Sequence, residues 1–225
     1  MAKVSPFTDL DLGTARALLR PSVVRNRRRR PIVTLAIDCP PDTSAGWIEA
    51  IDRHSINATF YVEHPFPSDA DAETVARRLA ASGHEFGLLG DLENVDDLLG
   101  SSGMRGDGID LRPTAFAIGI DDAGTAGRRV RALGFASCRG ANSGMMTETI
   151  DLESLPAIPD PGESTARQAL FAETAASRAW LVLVLDARHP FGEADGALLD
   201  EIVRQIRETG LEIYAVRNAL GALAF

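Results

Sequence analysis

The sequence predicts an α/β fold, a parallel sheet or barrel of about seven strands covered by helices. Three observations predict it. Short runs that are apolar on both faces, such as PIVTLAID, NATFYVE and AWLVLVLD, alternate with amphipathic stretches of helical length. The chain has 225 residues, 45% of them hydrophobic, which is enough for one domain with a sizeable core. Polar side chains gather at the carboxyl ends of the predicted strands, where parallel α/β folds carry their chemistry.

The elements follow in order. TDLDLGTARALLR spaces Leu10, Leu12, Ala15 and Leu18 or Leu19 for a short amphipathic helix. Residues 1–30 read as an N-terminal extension carrying a basic run, and residues 31–225 as the folded domain. PIVTLAID is a buried strand. TSAGWIEAIDRHS is a helix with Trp47, Ile48, Ile51 and His54 at helical spacing, and NATFYVE is the next strand. SDADAETVARRLAASG is a helix capped by Ser68 or Asp69 and closed by Gly83. HEFGLLG, RPTAFAIG and FASCRG read as further strands, with helices in DLENVDDLLGSSG and DDAGTAGRRVRALG between them. Residues 140–168 read as a long irregular stretch, of the kind that is usually functional or mobile. AWLVLVLD is a strand, DGALLDEIVRQIRETG a helix closed by Gly210, and LEIYAVRNAL a final strand and tail.

Charge and cysteine content exclude several classes. A net charge of −9 argues against a nucleic-acid partner. The exception is local: Arg25 to Arg30 holds five arginines around one Asn. That run is either a solvated surface stretch or an anion-binding arm in which Arg27 to Arg30 take a phosphate. Two cysteines, Cys39 and Cys138, do not make a disulfide framework. No apolar stretch reaches the roughly 18 residues of a membrane span. The first twenty residues lack the apolar core of a secretory signal, so the expected location is cytoplasmic.

The strand-end residues to weigh are Asp38 and Cys39, Glu63 and His64, Asp91 and Glu93, Asp121 and Asp122, Arg139, and finally Asp186, Arg188 and His189. Each has a plain structural alternative. Asp38 can be a turn residue bonding backbone N–H groups ahead of two prolines. Cys39 can be a small buried hydrophobe. His64 can be a strand-end histidine before a Pro turn. Asp121 and Asp122 suit the start of a helix. Trp47 and Trp180 read as core, although an aromatic at a strand mouth can stack a sugar ring.

In its order of segments, the chain resembles the polysaccharide deacetylase family of carbohydrate esterases. The family's T-F-D-D-G-P motif corresponds to Ala36-Ile37-Asp38-Cys39-Pro40-Pro41, and its ATFFV strand to NATFYVE at 57–63. Its GHEIGNHT segment corresponds to SGHEFGLLGDLE at 82–93, and its R-P-P motif to Arg112-Pro113-Thr114. VRALGFASC, VLDARHP at 184–190 and GLEIYAV match the later segments in turn. The resemblance runs from about Ile32 to the end and rests on five weak motifs in the right order. It implies a distorted (β/α) barrel of about seven strands that acts in carbohydrate metabolism on a saccharide or sugar derivative.

The resemblance also implies roles. Asp38 holds the position of the general base, and Asp186 or His189 that of the acid. Read from its own chemistry, Arg112 is either a partner that orients Asp38 through a bidentate pair or part of a plain surface or structural ion pair. Arg139, Glu63 and His64 are candidates for contact with substrate. The family's divalent metal, such as zinc, would fall to Cys39 and Glu93, because Cys39 stands where the metal-binding Asp should be. Leu89 replaces the first metal-binding histidine, and a leucine donates nothing. His84 matches a position that is structural in the family. Two readings remain open. An active protein hydrolyses an N-acyl group, acetyl or formyl, from an amino sugar, using a metal. A degenerate member without the metal binds a saccharide or a partner protein in the same cleft.

Overall fold

The computed structural model describes residues 22–26, 29–63, 69–90, 105–106, 109–110, 114–118, 123–140 and 142–224. The strands are β1 (Val23–Arg25), β2 (Ile32–Cys39), β3 (Thr59–Glu63), β4 (Glu85–Leu89), β5 (Arg105–Gly106) and β6 (Ile109–Asp110), then β7 (Ala115–Ala117), β8 (Ser137–Arg139), β9 (Thr149–Asp151), β10 (Ile158–Pro159), β11 (Trp180–Asp186) and β12 (Glu212–Ile213). The helices are α1 (Ser44–Arg53), α2 (Asp69–Ala81), α3 (Ala123–Ala132), α4 (Ser164–Ser177), α5 (Glu193–Glu208) and α6 (Val216–Ala224). Seven parallel strands lie side by side in the order β10-β11-β2-β3-β4-β7-β8, and β12 pairs with β2 off this path. The sheet curls into a distorted (β/α) barrel, as the sequence predicts.

Residue alternation on β2 shows why. Val33, Leu35, Ile37 and Cys39 join the core shared with Trp47 and Ile48 of α1 and with Leu199 and Ile202 of α5. Ile32 and Ala36 face the other way, into a second cluster with Tyr61, Trp180 and Val182 inside the barrel. A strand buried on both faces needs apolar residues at nearly every position, which is what IVTLAI supplies. Each buried Leu, Ile or Val contributes about 1.5–3 kcal/mol. The polar side chain within this apolar run, Thr34, accepts a hydrogen bond from Trp180 Nε1 at 3.0 Å.

The gap between β8 and β10 is bridged by the chain that leads into β10. Cys138 N–H donates to the Leu152 carbonyl at 2.8 Å, Leu155 N–H to the Cys138 carbonyl at 2.8 Å, and Gly140 N–H to the Leu155 carbonyl at 3.1 Å. At the amino ends of the strands, β1 pairs antiparallel with β9, and Ile150, Leu152 and Leu223 close the inner cluster. Residues 22–26 thus join the folded chain through β1. Asn26 is buried, and its N–H donates to the Glu148 carbonyl at 2.9 Å. Of the arginine run, Arg30 pairs with Glu212 at 3.3 Å and Arg29 with Glu148, so part of it is neutralised by this chain.

Buried Glu85 ties the last helix to the sheet. Its carboxylate accepts from Thr59 Oγ1 at 2.9 Å, from Thr114 Oγ1 at 2.6 Å and from Arg217 N–H at 2.8 Å. A carboxylate at the first turn of α6 satisfies an N–H that the helix leaves unpaired. Two sequence expectations differ from this. LEIYAVRNAL is strand only at Glu212–Ile213 and then becomes α6, because Ala215, Val216, Ala219 and Leu223 are buried at helical spacing. The stretch 140–168 contains β9 and β10 and the start of α4. That helix hid because one of its three buried residues is Arg167, which breaks the apolar stripe. The helices read at TDLDLGTARALLR and DLENVDDLLGSSG lie outside the described residues. Among the described residues no helix is long and apolar enough to cross a membrane.

Gly87 makes room inside the barrel. A Cβ there would sit 2.9 Å from Tyr61 Cδ1 and 3.2 Å from the Ala115 carbonyl oxygen. Gly87→Ala is expected to lower stability by about 1–3 kcal/mol in urea unfolding, because Tyr61 has no slack to yield. An unchanged midpoint would contradict this packing.

Candidate functional site

The parallel register carries side chains to the mouth of the barrel. Asp38 ends β2 opposite Asp186 of β11, and Arg139 ends β8 opposite Ala117 of β7. With Leu89, Arg188 and His189 they line a cavity of about 530 Å³.

Asp38 and Arg139 meet on its wall. Arg139 Nη1 donates to Asp38 Oδ1 at 2.7 Å and Nη2 to Oδ2 at 2.6 Å. This is the two-pronged geometry that suits guanidinium to carboxylate. Arg139 is only 6% exposed, and its guanidinium lies 4.3 Å from the centroid of the Tyr61 ring. Burial works against the charge on Arg139, but Asp38 outweighs it and holds the group protonated. Burial also pushes the Tyr61 hydroxyl up, so the ring stays neutral beneath the cation. The sequence offered Arg112 as the partner of Asp38. Arg112 lies outside the described residues, and Arg139, read as a contact to substrate, is the residue that grips Asp38.

Asp186 is in the wrong state for an acid. Arg188 Nε donates to its Oδ1 at 2.9 Å and Nη2 to its Oδ2 at 2.6 Å. Those hydrogen bonds hold the carboxyl below its usual range, so it is ionised at neutral pH and has no proton to give. Arg188 is raised in turn by Asp186, with further support from Glu63 and Asp38. His189 is exposed, and its Nε2 lies 2.8 Å from Asp195 Oδ1. Asp195 is itself anchored by the N–H of Gly192 at 2.8 Å, just before α5. Glu63 turns toward a second hollow, between the starts of α1 and α2, with Asp42 and Arg78. His64 lies outside the described residues.

Of the two expected metal ligands, Cys39 is the one that can be placed, and it turns away from the mouth. Cys39 is a correction: β2 alternates, so Asp38 faces the mouth and Cys39 faces the helices, fully buried beside Ile37 in the outer core. Burial, and then the charge of Asp38, pushes its thiol up, away from the thiolate a metal requires. Leu89 lines the cavity and has no donor atom. Both oxygens of Asp38 are engaged by Arg139. Among the described residues no group of three His, Cys, Asp or Glu side chains is placed to hold a metal ion. Glu93 lies outside the described residues. The donor set described here does not fit a catalytic divalent metal, which needs about three protein ligands around an open position.

Sequence reasoning missed Asp160. It follows β10, lines the same cavity and is gripped by Arg167, with Nε to Oδ1 at 2.7 Å and Nη2 to Oδ2 at 2.9 Å. The signal was hidden inside the stretch read as irregular. Trp47 is 1% exposed and edge-on to Phe191 at 5.1 Å in the core, and it also reaches the cavity wall.

No protein family profile matches the chain, and no curated protein matches its sequence. Solved structures do match. The chitin deacetylase from the fungal pathogen Colletotrichum lindemuthianum aligns with a TM-score of 0.57 at 16% identity, over 85% of this chain and 88% of that one. A CE4 family pseudoenzyme from Bacillus anthracis aligns with a TM-score of 0.56 at 12% identity, over 88% of this chain and 68% of that one. A peptidoglycan N-acetylglucosamine deacetylase aligns with a TM-score of 0.55 at 13% identity, over 87% of this chain and 90% of that one. The chain thus has the polysaccharide deacetylase fold. Its mouth departs from a metal-centred site in the particulars above.

Thiol chemistry checks the orientation of Cys39. Both cysteines are free and buried, and burial pushes the Cys138 thiol up to about 12. Ellman's reagent at pH 8 is expected to find no reactive thiol in the folded chain and both after denaturation. A thiol that reacts at the rate of free cysteine while the fold is intact would put Cys39 at the mouth.

Proposed function

We propose that this chain is a polysaccharide-deacetylase-like protein of carbohydrate metabolism that binds an N-acylated amino sugar in the mouth cavity without hydrolysing it. The observation that carries this reading is the bidentate Asp38–Arg139 pair on the wall of the cavity. Amide hydrolysis needs a polarised carbonyl and a water made nucleophilic, and a metal supplies both in one step. Here a water proton would have to compete for Asp38 with a charged guanidinium that already engages both oxygens. Asp186, tied to Arg188, has no proton to deliver to the leaving nitrogen.

The same groups suit binding. A cavity of about 530 Å³ falls in the usual range for small-ligand sites, roughly 300–1,000 Å³. Carboxylates with lone pairs left over accept hydrogen bonds from sugar hydroxyls, and guanidinium N–H groups donate to ring and acyl oxygens. The fold is shared with proteins described as chitin and peptidoglycan N-acetylglucosamine deacetylases, which supports an N-acetylated amino sugar as the ligand class. It is also shared with a pseudoenzyme, which supports binding without turnover.

The pairing of His189 with Asp195 favours the second reading, hydrolysis of the N-acyl group, because an oriented histidine at the cavity wall is a usable acid. One experiment separates the two. Isothermal titration of the chelator-treated protein with chitotetraose is expected to give binding that changes by less than about twofold when zinc is added. Acetate release from the same mixture is expected to stay at the level of buffer. Acetate release that disappears in Asp38→Asn would establish hydrolysis instead, and binding that requires zinc would put a metal back at the mouth.

A further inference from the structure

We infer that Asp160 is a ligand-contacting carboxylate of the mouth, positioned by Arg167 to accept hydrogen bonds from hydroxyl groups of the bound sugar. The inference rests on the saccharide-binding reading and gives it a specificity-determining residue. Asp160, Asp186 and Asp38 close three neighbouring strands, β10, β11 and β2. The backbone of Asp160 is fixed, its N–H donating to the Val184 carbonyl at 2.9 Å. Its side chain is 10% exposed, and the residue lines the cavity.

The device behind it is built from the core. Arg167 has no exposed surface, and its Nε and Nη2 hold the two Asp160 oxygens at 2.7 and 2.9 Å. Its Nη1 lies 3.6 Å from Glu201 Oε2 of α5. Gln205, buried on the same helix, donates from Nε2 to Ser164 Oγ at 2.9 Å and to Glu201 Oε1 at 3.2 Å. A buried guanidinium is expensive to desolvate, and an apolar residue at 167 would pack as well or better for stability alone. The arrangement does have a clear consequence at the cavity. A carboxylate offers about four lone-pair positions, and the guanidinium fork takes two of them. The other two are left for the cavity side, on a group whose charge is already balanced. Such a group selects neutral hydroxyl donors over cations. The Asp186–Arg188 pair is more than half exposed and contributes little by comparison.

The test uses the full chain and methyl N-acetyl-β-glucosaminide with its 3-, 4- and 6-deoxy analogues, followed by ligand-observed NMR. In the native protein, one deoxy analogue is expected to bind about tenfold or more weakly than the parent, the loss typical of a hydrogen bond to a charged group. In Asp160→Asn that penalty is expected to shrink to about twofold or less, while the other analogues keep their ratios to the parent. A role confined to stability would lower the melting temperature and leave every ratio as it was. That outcome overturns the inference and leaves saccharide binding standing. Failure of the native protein to bind any of the four sugars overturns both. Should Asp160→Asn fail to fold, Arg167→Lys keeps the charge but loses the fork and is read in the same way. The selective penalty is then expected to fall, and unchanged ratios overturn the inference.

Discussion

The ion pair between Asp38 and Arg139 is the constraint on which the rest of the mouth depends. Each partner sits at the end of a different strand, β2 or β8, on opposite sides of the curled sheet path. Both are largely shielded from water, so neither charge is tolerable without the other. The neutral Tyr61 ring supports the guanidinium from below, and Gly87 leaves space for that ring. Barrel curvature, core packing and site chemistry are in this way coupled through four residues. A cation supplied by the chain engages both oxygens of the carboxylate to which the resemblance gives the general-base position. Under the reading proposed above, this pairing is what suits the mouth to holding a sugar.

Among the described residues, three guanidinium-paired carboxylates line the same cavity: Asp38 with Arg139, Asp160 with the buried Arg167, and Asp186 with Arg188. From buried to exposed they run Asp160–Arg167, Asp38–Arg139 and Asp186–Arg188, and their energetic weight falls in that order. A pair out in water is worth roughly 0–1 kcal/mol, whereas breaking a buried one costs about 3–5 kcal/mol. Balanced pairs keep a cavity polar without making it strongly charged. Such a surface suits a neutral polyhydroxylated ligand better than a free cation or a phosphate. Of the arginines near the N-terminus, Arg29 and Arg30 pair with Glu148 and Glu212.

The barrel was legible in the sequence because strands buried on both faces leave no ambiguity in their composition. IVTLAIDC and WLVLVLD are such runs, and they pair in parallel over seven residues. Helix α4 was not legible, since Arg167 stands on its buried stripe and mimics a surface residue. The last helix was taken for a strand because Ala215, Val216 and Ala219 are small or β-branched and carry little periodic signal over so short a stretch. At the site, Asp38 and its neighbour Asp186 could be read from strand ends. The pairing of Asp38 with Arg139 could not, because it joins residues 101 apart in sequence across a curvature that no local pattern encodes. The orientation of Cys39 was readable in principle from alternation with Asp38, but the resemblance placed both at the mouth.

A double-mutant cycle between Asp38→Asn and Arg139→Met, followed by urea unfolding, tests the central claim most directly. The account predicts a favourable coupling energy of about 2 kcal/mol or more, with the double variant more stable than the sum of the single losses implies. A coupling below about 0.5 kcal/mol would mean that the two side chains act independently, and the mouth would then have to be organised by something else.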